Sequence, residues 1–161
     1  MLHKTITILV GIPCAGKSSY TEKTINRWDY AVISRDQIRD AYFEKPYLHK
    51  KYTEEQVGKI FYEQFKRLLI DESITHIIVD NTHCKEKYID VYIDKLIKKT
   101  YKDFTVTLQI KYFDIPLWEA KMRNILRFLK TGRWVPMKVI SDMYKNYKKL
   151  NRKKYEQYVV H

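Results

Sequence analysis

Gly11-Ile12-Pro13-Cys14-Ala15-Gly16-Lys17-Ser18 fits G-x-x-x-x-G-K-[ST], the pattern of a phosphate-binding loop. Glycines let the backbone curl until its N–H groups converge on phosphate oxygens. Lys17 brings a cation to the β- and γ-phosphates, and Ser18 brings a hydroxyl for Mg²⁺. The flanks suit this chemistry. Thr5-Ile6-Thr7-Ile8-Leu9-Val10 is apolar and β-branched, as a buried parallel strand is. Ser18 to Trp28 lacks Gly and Pro, so a helix can open on the loop and point its positive end at the pocket. Gly11, Pro13, Cys14, Ala15, Gly16, Lys17, Ser18 and Ser19 are the expected nucleotide-binding set, with Ser18 on the metal.

Further along, strand and helix patterns alternate, which predicts an α/β fold: a P-loop kinase sheet of about four parallel strands flanked by helices. Tyr30 to Ser34 reads as the second strand and leads into Ser34-Arg35-Asp36-Gln37-Ile38-Arg39-Asp40. Ser34 and Gln37 have capping-box spacing, and Asp36 suits a first helical turn. The same residues carry a second reading. Asp36, Arg39 and Asp40 share one helix face at the carboxyl end of a strand, where open α/β sheets place ligands. A carboxylate there can accept a proton from a hydroxyl, and an arginine one turn on can hold a phosphate.

Thr53 to Gln56 is a second capping box. It predicts a helix with Val57, Phe61, Phe65 and Leu68 on one stripe. Tyr47, His49 and Tyr52 read as loop anchors or substrate contacts. Thr75 to His83 reads as the third strand, and its terminal Asp80 is placed either to face the metal and phosphates or to shape a turn. Lys85 to Lys99 predicts a helix with Ile89, Ile93, Leu96 and Ile97 inward. Phe104 to Tyr112 alternates as a strand near a sheet edge does.

Pro116 to Lys130 predicts a helix that buries Trp118, Met122, Ile125 and Leu129. Arg123, Arg127 and Lys130 form a basic stripe on another face. Thr131-Gly132-Arg133-Trp134 breaks it, and Val135-Pro136 starts another helix. Two late helices around a short basic break have the pattern of a lid, about residues 123–136, whose arginines close on phosphates. Trp134 suits either base stacking or a hinge anchor. The last helix keeps Val139, Met143, Tyr147 and Leu150 inward and Lys138, Lys145, Lys149 and Arg152 outward. The final stretch, from Lys153 to His161, looks only partly tethered.

The 161 residues predict a single domain with a real core. No run has the length of a membrane span, and no leader is evident. Two cysteines, Cys14 and Cys84, suggest neither a disulfide framework nor a metal cluster, so a cytoplasmic setting is expected. Charge is uneven. Lys121 to His161 holds 12 Lys/Arg against two acids, which is +10 of the net +12. Such asymmetry is the footprint of a polyanionic partner, with a solvated basic face as the plain alternative.

The order of motifs resembles the kinase domain of the bacteriophage polynucleotide kinase-phosphatase family. The resemblance rests on GIPCAGKSS (11–19), SRDQIRD (34–40), IIVDNTH (77–83), FDIPLWEAKMRN (113–124) and VPMKVISDMYKNYKKL (135–150). It implies transfer of the γ-phosphate of ATP, or another nucleoside triphosphate, to a 5′-hydroxyl end of DNA or RNA with Mg²⁺. By the same resemblance Lys17 and Ser18 bind phosphate and metal, and Asp36 is the general base. Arg35, Arg39, Asp80 and Thr82 lie on the acceptor side. Arg127 is the lid arginine, with Arg133 as second choice, because the spacing between Arg123-Asn124 and Val135-Pro136 is a few residues longer than in that family. The Asp-x-Asp of the family's phosphatase half does not occur in the chain, so a kinase without that half is expected.

Two other readings share these residues. One is a P-loop kinase for a small metabolite, nucleoside or nucleotide, which needs no basic C-terminal segment. The other is a nucleotide-gated nucleic-acid-binding module, which needs no base at Asp36. Oligomeric state, including self-association, is not written in the sequence.

Overall fold

The computed structural model describes residues 2–44, 50–97 and 103–161. Tyr47 and His49, and the predicted end of the fourth helix at Lys99, lie outside them. The elements run β1 (Leu2–Val10), α1 (Lys17–Thr24), β2 (Tyr30–Ile33), α2 (Arg35–Tyr42), α3 (Lys51–Ile70), β3 (His76–Val79) and α4 (Glu86–Tyr92) with a π-turn over Ile93–Ile97. They continue with β4 (Phe104–Tyr112), α5 (Leu117–Thr131), α6 (Met137–Lys148) and a 3₁₀ segment over Arg152–Tyr158.

The four strands pair in parallel in the order β2-β3-β1-β4. In register, Ile8 lies beside Val79 and Val10 beside Tyr112, while Ile33 meets Val79 from the other side. All four strands therefore end on one edge. The strand order reverses between β1 and β3, and such a switch point opens a ligand crevice at the carboxyl ends. The loop after β1 and Asp80 after β3 border that crevice. Strand β4 is the sheet edge that its alternation predicts.

Ile6, Ile8, Val10, Ile77, Val79 and Ile110 are buried at the centre of the core, with Val57, Phe61 and Phe65 of α3 and Ile140 of α6 packed around them. Helix α3 starts two residues before Thr53. The Thr53 hydroxyl accepts from the Lys50 N–H (3.2 Å), so Thr53 closes the first turn from inside the helix. Leu69 is buried, and Leu68 is only partly covered.

Three expectations are overturned here, and Val139 of α6, expected inward, is exposed as well. Trp118, Met122, Ile125 and Leu129 of α5 face solvent. The helix instead packs through Ala120 and Asn124, both fully buried. A polar clamp sets its rotation: Asn124 Nδ2 donates to the Val135 carbonyl (2.8 Å), and Asn124 Oδ1 accepts from the Val135 N–H (3.2 Å). The C-terminal stretch is also held firmly. Tyr155 is fully buried and donates to Asp90 (2.8 Å), and the Val160 N–H reaches the Ile110 carbonyl (2.9 Å). Arg152 turns inward as well. Its guanidinium lies over Tyr112 (4.5 Å) and Tyr147 (4.8 Å) and binds Asp114 (2.5 and 2.9 Å). Cation–π stacking and a bidentate carboxylate outweigh solvation for this arginine.

Candidate active site

The loop between β1 and α1 has the backbone its glycines allow. Gly16 caps α1 at φ 98, and Cys14 sits at φ 65. At Gly11 the constraint is space, because a Cβ there would come within 3.0 Å of the Phe113 Cβ. The Gly11 N–H donates to the Thr82 carbonyl (3.0 Å), tying the loop to the exit of β3. Pro13, Cys14 and Ala15 are half-buried, and Ser18 and Ser19 are exposed at the start of α1.

Lys17 is buried, and its ammonium donates to the carbonyls of Gly11 (2.9 Å) and Ile12 (2.8 Å). Burial holds it below the ordinary lysine value, and Asp80 is the strongest influence opposing that shift. Burial pushes the Asp80 carboxyl up, with Lys17 pulling it down and Asp36 repelling. Lys17, Asp80 and Asp36 thus share one electrostatic neighbourhood, drawn from α1, β3 and α2. The Ser18 hydroxyl and the Asp80 carboxylate, hard oxygen donors beside the loop, suit Mg²⁺ in kind.

Helix α2 starts where β2 ends. The Ser34 hydroxyl accepts from the N–H groups of Asp36 (3.1 Å) and Gln37 (3.3 Å), and Asn81 Oδ1 accepts from the Arg35 N–H (3.0 Å). Asp36 is therefore both a first-turn acid and an exposed carboxylate at the crevice, its side chain 83% exposed. Arg39 Nη1 donates to Asp36 Oδ1 (2.6 Å). Its Nε and Nη2 donate to the two oxygens of Glu54 on α3 (2.9 and 2.8 Å). Burial works against the Arg39 charge, but the Glu54 bonds and Asp36 hold the guanidinium above the ordinary arginine value. Arg35 lies near the same glutamate (4.0 Å) and over the Phe61 ring (5.8 Å).

Three arginines of α5 and of the break that follows it go to different places. Arg123 Nη1 donates to the Cys14 carbonyl of the phosphate loop (3.3 Å), and its Nη2 binds Glu119 (2.6 Å). Arg127 Nη2 donates to Asn124 Oδ1 (3.2 Å), while its Nε is buried with no bonding partner among the described residues. Arg133 binds Asp40, so the break between α5 and α6 is tied to α2.

Three participants were not singled out from sequence. Glu54 reads as part of a capping box, and only the fold shows it under Arg39. Arg123 reads as one of a basic stripe, although its place at the head of the Arg-Asn pair could have marked it. Asn124 is a clamp whose partner, Val135, is a backbone group and leaves no residue-type signal. His83, at φ 47, donates from Nδ1 to the Leu9 carbonyl (2.8 Å), and burial pushes its pKa down to about 4. It braces the sheet edge behind the loop.

A family model described as an AAA domain matches residues 6–150. No curated protein matches the chain. Among solved structures, a chain of the Pnkp1/Rnl/Hen1 RNA repair complex is 22% identical with a TM-score of 0.75, over 95% of this chain and 47% of that one. A fungal RNA kinase is 15% identical with a TM-score of 0.58, over 91% of this chain and 34% of that one. A gluconokinase from Sinorhizobium meliloti 1021 is 15% identical with a TM-score of 0.56, over 99% and 82%. These likenesses are of fold. The chain spans about half the length of the RNA-repair chain it resembles. Among the described residues no helix is long and apolar enough to cross a membrane.

Proposed function

This chain belongs to the AAA domain family, whose model covers residues 6–150, and we propose that its P-loop kinase-like fold serves an ATP-dependent polynucleotide 5′-hydroxyl kinase. The observation that carries the reading is the Asp36 carboxylate. It stands at the crevice on α2, bound by Arg39 at 2.6 Å, and its charge is felt at both Lys17 and Asp80. A nucleotide-binding loop alone needs no such group. A phosphoryl transfer to an alcohol does, because the acceptor must lose a proton.

In this reading the loop from Gly11 to Ser19 holds the donor phosphates by its N–H groups, with Lys17 on the β- and γ-phosphates. Arg123, already at the loop, and Arg127 supply further positive charge from α5. Ser18 and Asp80 would hold Mg²⁺, which neutralises phosphate charge when bound. The acceptor's 5′-oxygen forms the new bond to the γ-phosphorus, the bond to the β–γ bridging oxygen breaks, and the hydroxyl proton passes to Asp36. Arg39 and Arg35 hold the acceptor's own phosphate, and Thr82 and Asp80 line the same side. Lys138, Lys145, Lys148 and Lys149, exposed on and just after α6, attract the polyanion without reading its sequence.

The test is a panel of acceptors with γ-labelled ATP and Mg²⁺: 5′-hydroxyl DNA, 5′-hydroxyl RNA, nucleosides and a sugar acid. Label on oligonucleotide ends is the expected outcome. Label confined to a small molecule would replace the polymer with a metabolite. ATP binding with no labelled product would point to a binding module.

A further inference from the structure

The stripe that sequence places in the core is left on the surface. Trp118, Met122, Ile125, Leu126 and Leu129 are 68, 50, 37, 52 and 74% exposed. At 3.6 residues per turn they fall within an arc of about 100° on α5. The buried Ala120 and Asn124 lie on the opposite side, so the helix is fixed to its own domain by one face and apolar on the other. Among the described residues nothing packs across the stripe. Single exposed apolar side chains need no explanation, but a contiguous stripe of this size marks a docking surface.

We propose that the stripe is covered by a second copy of this chain, with the two α5 helices antiparallel. Three observations favour this occupant. Four of its five residues read the same from both ends: Trp118 and Leu129 are outermost, Met122 and Ile125 are central, and equal separations relate the pairs. An antiparallel copy therefore lays Trp118 on Leu129 and Met122 on Ile125, each contact made twice across the two-fold axis. Glu119, whose carboxylate also binds Arg123 of its own helix (2.6 Å), and Lys130 lie along one edge of the stripe near opposite ends. The same symmetry brings each Glu119 beside the other copy's Lys130. The five exposed residues together offer on the order of 550 Å² per copy, the apolar centre of an interface whose standard size is about 800 Å² per partner, with the flanking polar residues as its rim. The net charge of +12 opposes pairing, and ordinary salt screens it. Arg123 and Arg127 project away from the stripe, so pairing leaves them on the phosphate side. The inference does not depend on which acceptor the site takes.

Light scattering and sedimentation of the nuclease-treated full chain at moderate salt test the inference. The expected mass is about twice the 19.6 kDa of one chain. Leu129→Glu and Trp118→Glu, at exposed positions where the fold tolerates charge, should each raise the dimer dissociation constant by about tenfold or more. Trp28→Glu, at an exposed tryptophan far from α5 in sequence, should not change it. Glu119→Lys should weaken pairing, and adding Lys130→Glu should restore it. Circular dichroism and melting of each variant report whether the fold is intact. A monomeric wild-type chain, or a dimer indifferent to both stripe substitutions, would overturn the proposal. Failure of the charge exchange to restore pairing would overturn the antiparallel register.

Discussion

Glu54 of α3 grips Arg39 of α2 through two parallel hydrogen bonds, 2.9 Å to Nε and 2.8 Å to Nη2. The grip fixes the guanidinium plane and leaves Nη1 for Asp36. Arg39 is thus aimed by a residue that touches neither substrate in the proposed reaction. Glu54→Ala should lower kcat/KM for the oligonucleotide by about tenfold to a hundredfold, by freeing the arginine's orientation. KM for ATP should stay within about twofold, and Glu54→Gln should recover part of the loss. Equal effects on both substrates would remove Glu54 from the acceptor side.

Arg123 is the α5 arginine that touches the phosphate loop. Arg123→Ala should lower kcat by about a hundredfold, the scale of losing a charge aimed at a transferring phosphoryl group. Arg133→Ala breaks an exposed ion pair with Asp40 and should change kcat by less than about threefold. Steady-state kinetics on the single variants, with Arg127→Ala alongside, rank the three. A larger loss at Arg133 than at Arg123 would reassign the lid.

Asn124 is fully buried and bonds both backbone groups of Val135. Asn124→Ala leaves those groups without partners inside the protein. It should cost about 2–3 kcal/mol and lower the melting temperature by several degrees. An unchanged melting temperature would mean that the clamp contributes little.

His83 is buried, and its pKa falls to about 4, well under the ordinary 6.5. Between those values the unfolded chain binds the proton and the folded one does not, so stability rises with pH across that window. It is fully present above about 6.5 and lost as pH falls toward 4, by up to about 3 kcal/mol from this group. His83→Asn, which keeps a residue type that tolerates positive φ, should flatten the melting-temperature profile there. A profile as steep as that of the wild type would assign the acid sensitivity to other groups.

Much of this was legible in sequence because periodicity and turn chemistry are local. The strand before Gly11, the cap at Ser34 and the alternation in β4 are each written in neighbouring residues. What was missed depends on contacts distant in the chain. The α5 stripe looked like a core stripe because hydrophobic spacing says which residues share a face, not which face the domain covers. Asn124 and Val135 decide that, and one partner is a backbone group. Arg152 looked like a solvated cation until Asp114, Tyr112 and Tyr147 were brought around it. Glu54 lies fifteen residues from Arg39, and only the packing of α3 on α2 joins them.

The most direct measurement compares wild type and Asp36→Ala for transfer of labelled phosphate from ATP to a 5′-hydroxyl oligonucleotide, with ATP affinity measured on both. The account predicts labelled 5′ ends with the wild type, a loss of at least about a thousandfold in kcat with Asp36→Ala, and ATP affinity unchanged within about twofold. An Asp36→Ala protein that still labels oligonucleotide ends at near-normal rate, or a wild type that never does, would contradict it.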